Sequence, residues 1–482
     1  MSDNKSGQWL AAKPLPLFSI VAVSAIAWQF APPAGLSAAA YHSAIVFIAT
    51  IAGIIANVMP TGALAIVSLA CFAVLRAGGE ATGKAAITDA MSNFNNALIW
   101  LVIIAFTIAR AFTKTGLGRR IALLLLSKFG QSTLRVAYCL GVADFLIAPA
   151  TPSNTARSAI VSPIANSLAK TIKADDRKLG QFLISSSAAM NDASAVGFQT
   201  GFSGNLALIG IASSVAGVEL NFGNWAMYLL VPAFVLLFIM PFILYKVINP
   251  ATKETPEATQ FAKDELHKMG KVSGMEWKLI AIFLGLVVLW VGGPTLGLHA
   301  TTSAFIGLAV ILLLGVLSWD DIKSEKGAWD TLVWFAVLMG MADNLKKLGF
   351  TDWVGHQISG FLTTYLGGAS PMIFLIAMMA FYLFLSYFFA SAIAKVVAIG
   401  PVFMGALISL HVSPMLAVLA IAGISSIGCN LATYSHARNP LLMGYGYHTD
   451  GEWMRYGLVI GICGAVIFMV SGILWWEVLG II

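Results

Sequence analysis

Ser153, Asn154 and Thr155 are three consecutive polar residues between Pro152 and a cation, Arg157, inside an otherwise apolar stretch. Hydroxyls and an amide at the start of a half-helix, beside unpaired N–H groups and the positive end of a helix dipole, suit a carboxylate ligand. The alternative is a polar cap on a kinked span. A second stretch repeats the device 238 residues later, with Ser391 over Ser153, Ala394 over Ala156, Lys395 over Arg157 and Pro401 over Pro163. An Arg or Lys near the centre of a bilayer costs several kcal/mol unless it is compensated, so a cation there points to function. Snorkelling to the surface, or a buried ion pair with Asp144 or Asp192, is the competing account.

Two further segments break apolar runs. Thr200, Ser203 and Asn205 lie in one, Ser435, His436, Arg438 and Asn439 in the other. Asn205 falls on Asn439 at an offset of 234. Thr200, Ser203, Asn205, Ser435 and Asn439 are candidates for polar substrate contacts. His436 and Arg438 add hydrogen-bond donors for a bound anion, against a satisfied structural histidine and an arginine paired within the protein.

The elements that must position these residues are membrane helices. The 482-residue chain is 59% hydrophobic and 10% charged, with a mean hydropathy of +0.85, whereas soluble domains carry about 25% charged residues. Its length permits about ten spans of ~20 residues, and the order of apolar runs along the chain gives about 11. The net charge of +6 fits basic loops between spans and does not call for nucleic acid. Cys71, Cys139, Cys429 and Cys463 form no CxxC pair and read as free thiols in apolar surroundings. No cleavage site follows the polar N-terminus, so the first apolar run reads as a span with the N-terminus cytoplasmic.

The expected class is an all-α polytopic membrane protein. Residues 1–248 hold spans 1–6, including a hairpin at 133–168 and an interrupted helix at 179–216. Residues 249–277 form a cytoplasmic linker. Residues 278–482 hold spans 7–11, with a hairpin at 369–408 and an interrupted helix at 413–447. Basic residues flank the first hairpin on both sides, so it enters and leaves from one face. Thr115-Gly-Leu-Gly-Arg-Arg-Ile121 opens an amphipathic stretch, with Leu123–Leu126 opposite Arg119, Arg120 and Lys128, that reads as lying along the membrane surface, and Glu219 and His356 read as loop residues. The span count places the second hairpin on the opposite face, which makes an inverted repeat, the build of many secondary transporters.

Thr151-Pro-Ser-Asn-Thr-Ala-Arg157, preceded by Thr115-Gly-Leu-Gly-Arg-Arg-Ile121, resembles the divalent anion/sodium symporter family, in particular its citrate/succinate antiporter and 2-oxoglutarate/malate translocator branch. Phe389-Ala-Ser391 and Gly444-Tyr-Gly-Tyr447 extend the likeness, which runs over nearly the whole chain. The resemblance implies a homodimer in the cell inner membrane, with a scaffold and a transport domain that moves as an elevator. It also implies Ser-Asn-Thr tips and interrupted helices that bind carboxylate, with sodium in the symporters. The second tip departs from this pattern, reading Ser391-Ala392-Ile393, and Ser203-Gly204-Asn205 and Ala437-Arg438-Asn439 replace the usual Pro-Pro-Asn.

The expected function is sodium-independent exchange of di- or tricarboxylates such as succinate, malate, fumarate or 2-oxoglutarate. Arg157 and Lys395 would stand in for sodium, and no metal or cofactor is required. Sodium-coupled symport is the alternative. An intramembrane enzyme is disfavoured, because the sequence has no HExxH or GxSxG and its seven histidines are scattered.

Overall fold

The computed structural model describes residues 12–173, 175–365 and 370–482. The polar N-terminal segment 1–11, whose side of the membrane the sequence reading assigned, lies outside the described residues. Among the described residues the regular structure is helical, with no strand.

The first half runs through α1 (Pro14–Trp28), α2 (Ala38–Ile55), α3 (Thr61–Leu75), α4 (Gly83–Ala90), α5 (Ala97–Thr115) and α6 (Leu117–Phe129). The hairpin α7 (Thr133–Ile147) and α8 (Asn154–Lys173) follows, then α9 (Arg177–Gly197), α10 (Ser203–Ile211) and α11 (Phe222–Ile248). Next come α12 (Pro256–Met269), α13 (Gly274–Gly292), α14 (Ala300–Leu313), α15 (Trp319–Lys323), α16 (Lys326–Lys347) and α17 (Phe350–Tyr365). The chain closes with the hairpin α18 (Pro371–Phe384) and α19 (Ala392–Ser409), then α20 (Pro414–Ile427), α21 (Asn439–Met443) and α22 (Asp450–Val478).

Among the described residues, eight helical segments are long and apolar enough to cross a membrane, and α1, α3, α10, α14 and α20 are shorter apolar helices. The hairpin arms supply three of those eight segments. Helices α2, α3, α5 and α6 repeat as α13, α14, α16 and α17. Hairpin, interrupted helix and closing helix then repeat in the same order.

Packing separates two groups. Helices α7 to α11 and α18 to α22 gather around the breaks, with α9 against α7, α8, α11 and α20, and α22 against α11 and α20. Helix α16 packs on α2, α3 and α5, and α14 on α13 and α5. Helices α6 and α17 lie at the junction, the former against α7 and the latter against α19.

Proline and glycine place the interruptions. Pro149 and Pro152 lack the N–H groups that would carry α7 onward, and Thr151, just before Pro152, is extended at φ −135° and ψ 93°. Pro163 and Pro401 sit inside α8 and α19 at matching positions. Helix α9 ends at Gly197, a 3-10 turn covers Gln199–Gly201, and α10 starts at Ser203.

Beyond the second break, α21 spans only Asn439–Met443 and ends near Gly444, with Gly446 in the left-handed region at φ +79°. Three expectations are corrected. The 249–277 linker contains α12, which has Pro256 in its first turn, Glu257 near its N-terminus and Lys268 near its C-terminus, and which packs on α6. Arg120 does not face solvent with Arg119. It is buried, donating to Glu276 Oε1 at 2.6 Å and to the Gly270 carbonyl at 2.9 Å. His356 lies within α17, whereas Glu219 is in the loop before α11.

Candidate functional site

Ser153 and Ser391 cap the half-helices α8 and α19. Ser153 Oγ accepts the Ala156 N–H at 3.2 Å, and Ser391 Oγ accepts the Ala394 N–H at 3.3 Å. Their carbonyls accept the N–H groups of Arg157 and Lys395 at 3.0 and 3.1 Å. Each tip therefore ends in a capped helix N-terminus.

The interrupted segments lock onto the hairpins, and one pair of these bonds joins equivalent positions in the two halves. Thr200 donates to the Pro149 carbonyl at 2.5 Å, and Tyr434 donates to the Tyr387 carbonyl at 3.0 Å. Ser203 N–H reaches the Pro152 carbonyl at 2.9 Å, and Ser435 donates to the Ser386 carbonyl at 3.0 Å. Asn205 and Asn439 each use Nδ2 to hold two carbonyls of their own break. Phe202 and His436, equivalent positions in the two halves, approach each other at 6.1 Å between ring centroids. His436 Nδ1 accepts the Arg438 N–H at 3.1 Å, which leaves the proton of the neutral ring on Nε2.

All five N–H donors of Arg157 are taken. Nε meets Asp144 Oδ2 at 3.2 Å, Nη1 serves the Thr151 and Gly201 carbonyls, and Nη2 serves Asn154 Oδ1 and the Asn191 carbonyl at 3.3 and 3.2 Å. Arg438 Nη2 lies 2.6 Å from Asp192 Oδ1 and 2.9 Å from Asn430 Oδ1, and Nη1 donates to Asn191 Oδ1. Asn430 closes the circuit by donating to Asp192. Asn191 joins the two ion pairs, because its Nδ2 also donates to Asp144 Oδ1 at 2.8 Å. Arg157 and Arg438 thus belong to one buried network across the two halves.

Lys395 differs. It is 1% exposed, its ammonium donates to Ser386 Oγ at 2.6 Å, and it lies 4.5 Å from the centre of the Tyr382 ring. The salt bridges among the described residues give it no carboxylate partner, whereas Arg157 and Arg438 each have one. The space around it is lined by Ser386, Phe389, Ala392, Ser425, Cys429 and Ser435. Two donors of the network also lack partners while buried, Asn154 Nδ2 and Arg438 Nε. Ser153 and Thr155 stay partly accessible beside Asn154.

Sequence reasoning did not single out Asn191, Asn430, Tyr382, Ser386 or Ser425. The carboxylates Asp144 and Asp192, isolated in apolar segments, were the available signal that buried partners existed.

An all-helical chain with paired hairpins, interrupted helices and a polar centre sealed inside them is a multi-pass membrane transport protein. Residues 11–482 match the model for the sodium:sulfate symporter transmembrane region, and the chain belongs to that family. It is 39% identical over 486 residues, covering all of this chain and 99% of the other, to YflS of Bacillus subtilis (strain 168), provisionally named a malate transporter. It is 36% identical to the chloroplastic dicarboxylate transporter 2 of Spinacia oleracea, over 98% of this chain and 83% of that one. It is 30% identical to an L-tartrate/succinate antiporter of Escherichia coli, over 98% of both chains. Among solved structures, MtrF of Neisseria gonorrhoeae shares the fold with a TM-score of 0.61 at 14% identity, over 89% of this chain and 97% of that one.

Proposed function

We propose that this protein is a sodium-independent exchanger of C4 or C5 dicarboxylates in the cell membrane. The observation that carries the reading is Lys395, a buried cation without a carboxylate partner at the second hairpin. It stands at the register of Arg157, but Arg157 already meets Asp144, so one free positive charge replaces the two expected from sequence. Each capped N-terminus, of α8 and of α19, adds roughly half a charge. Together with Lys395 this comes to about two positive charges, the complement of a dicarboxylate.

Sodium would need hydroxyl and carbonyl oxygens at the second tip. There the Ser386 hydroxyl accepts from the Lys395 ammonium instead, and a sodium ion placed beside it would be repelled. A symporter's sodium leaves with its substrate, but Lys395 cannot leave. Crossing without a bound anion would carry an uncompensated charge through a low-dielectric barrier, which is costly. Binding of the dianion removes that penalty, so movement is tied to exchange. The division into two packing groups, joined by α6 and α17, supports elevator-type movement of one group within a homodimer. The names of the malate and dicarboxylate transporters and the tartrate/succinate antiporter among its relatives agree with the substrate class.

The test is uptake into proteoliposomes, empty or preloaded with succinate, malate, 2-oxoglutarate, fumarate, tartrate or citrate, with sodium or choline outside. Uptake is expected only into preloaded vesicles and at equal rates in both salts. Sodium-driven uptake into empty vesicles would show symport instead.

A further inference from the structure

Asp144 and Tyr382 stand 238 residues apart, the offset that relates Ser153 to Ser391 and Arg157 to Lys395. Their contacts match as their positions do. Asp144 Oδ1 accepts from Asn191 at 2.8 Å, and the Tyr382 hydroxyl lies 3.0 Å from Ser425 Oγ. Asn191 and Ser425 are themselves equivalent, at the 234 offset of the interrupted helices. Asp144 lies 3.2 Å from the Arg157 guanidinium, and the Tyr382 ring lies 4.5 Å from the Lys395 ammonium.

The two halves therefore build the same triangle of counter-residue, cation and interrupted helix. One half uses a carboxylate as the counter-residue, the other a phenol. A ring face attracts an ammonium through its quadrupole and adds no negative charge. Tyr382, fully buried, thus holds Lys395 in place without neutralising it. Arg438, the other arginine of this buried network, has Asp192, so Tyr382 occupies the position that decides the net charge of the site.

We propose that Tyr382 is a specificity-determining residue that keeps Lys395 unneutralised and so selects dianionic over monoanionic substrates. It acts through Lys395, as a positioning residue. The inference rests on the dicarboxylate-exchange reading and adds to it the residue that sets substrate valence. A carboxylate at this position would pair with Lys395 and lower the charge offered to the substrate by one. The half-charges of the two helix ends would then remain, enough for a monoanion.

The experiment is homo-exchange in proteoliposomes of succinate and of its monomethyl ester, with uptake into empty vesicles measured in parallel. Wild-type protein is expected to favour succinate by more than about tenfold. Tyr382→Phe keeps the ring and is expected to keep that ratio. Tyr382→Asp, and Ser425→Asp as a second route for a carboxylate into the same space, are expected to lower the ratio about tenfold or more and to permit uptake into empty vesicles. A wild-type ratio in either acidic variant, or loss of the preference in Tyr382→Phe, would overturn the proposal. If the wild-type protein exchanges neither compound, the transport reading itself fails, and the two failures are thereby distinguished.

Discussion

Asn205 and Asn439 make the same pair of hydrogen bonds in the two halves of the molecule. Asn205 Nδ2 donates to the Ala195 and Phe198 carbonyls at 2.7 and 3.0 Å, and Asn439 Nδ2 donates to the Cys429 and Ala432 carbonyls at 2.8 and 2.9 Å. In each case the acceptors lie ten and seven residues earlier. A helix that stops in an apolar interior leaves carbonyls without partners. One amide from the resuming helix satisfies two of them, so the same residue closes both breaks.

Asn205→Ala and Asn439→Ala each strip two buried carbonyls of a donor. Each substitution is expected to destabilise the protein by about 2 kcal/mol, read as a lower midpoint in thermal unfolding in detergent. Similar losses at the two sites are the expected outcome, because the two arrangements match.

The Asp144–Arg157 pair gives a sharper test. Asp144→Asn removes the charge while keeping the amide-sized shape, and leaves a buried guanidinium without a counter-ion. Breaking such a pair on one side costs about 3–5 kcal/mol. Asp144→Asn combined with Arg157→Met is expected to be less destabilised than Asp144→Asn alone. A double-mutant cycle in which the two losses simply add would show that the pair is not coupled.

Much of this arrangement was legible in the sequence because prolines, glycines and polar triplets stand out in an apolar chain. Pro149, Pro152 and Ser153 announced the first tip, and the 238-residue offset announced the second. The counter-residues were hidden. Tyr382 in an aromatic-rich helix reads as ordinary packing, and only the fold puts its ring over Lys395. Arg120 was misread because an amphipathic helix predicts a solvated basic face, whereas Glu276 and the Gly270 carbonyl enclose it. Helix α12 was missed because its charged sequence looks like a loop until it packs on α6.

Gly457 on α22 marks where that helix touches the second break. A Cβ there would lie 2.0 Å from the Asn430 carbonyl oxygen and 2.8 Å from its carbon. Backbone cannot rotate aside as a side chain can. Gly457→Ala is expected to push Asn430 away from Asp192 and Arg438, destabilising by about 1–3 kcal/mol. Thermal unfolding measures the cost, and exchange is expected to fall with it.

Asp321, in the short α15, gives a pH dependence away from the candidate site. The hydrogen bond from Lys114 and the backbone N–H of Ser318 pull its pKa down to about 2. A depressed carboxylate contributes stability that is present above its unfolded pKa of about 4 and lost as pH falls through the folded value. Lys114 is partly exposed, so the contribution at neutral pH is small, under about 1 kcal/mol. Asp321→Asn is expected to flatten the change in unfolding midpoint between about pH 4 and pH 2.

Ser153 and Ser391 separate a cap from a ligand contact. Both hydroxyls cap their helices at nearly equal distances, so Ser153→Ala and Ser391→Ala are each expected to cost about 1 kcal/mol of stability. The surroundings of the two tips differ. Ser153 is followed by Asn154, whose Nδ2 is buried without a partner, and by Thr155, whereas Ser391 is followed by Ala392 and Ile393. If the first tip supplies side-chain hydrogen bonds to the substrate, Asn154→Ala should raise the KM for exchange by about tenfold or more. Ala392→Asn should not compensate for it, because Lys395 already supplies the charge on that side. Equal effects of Ser153→Ala and Ser391→Ala on stability, with a KM change confined to the first tip, would show that the second half binds through its cation and helix end.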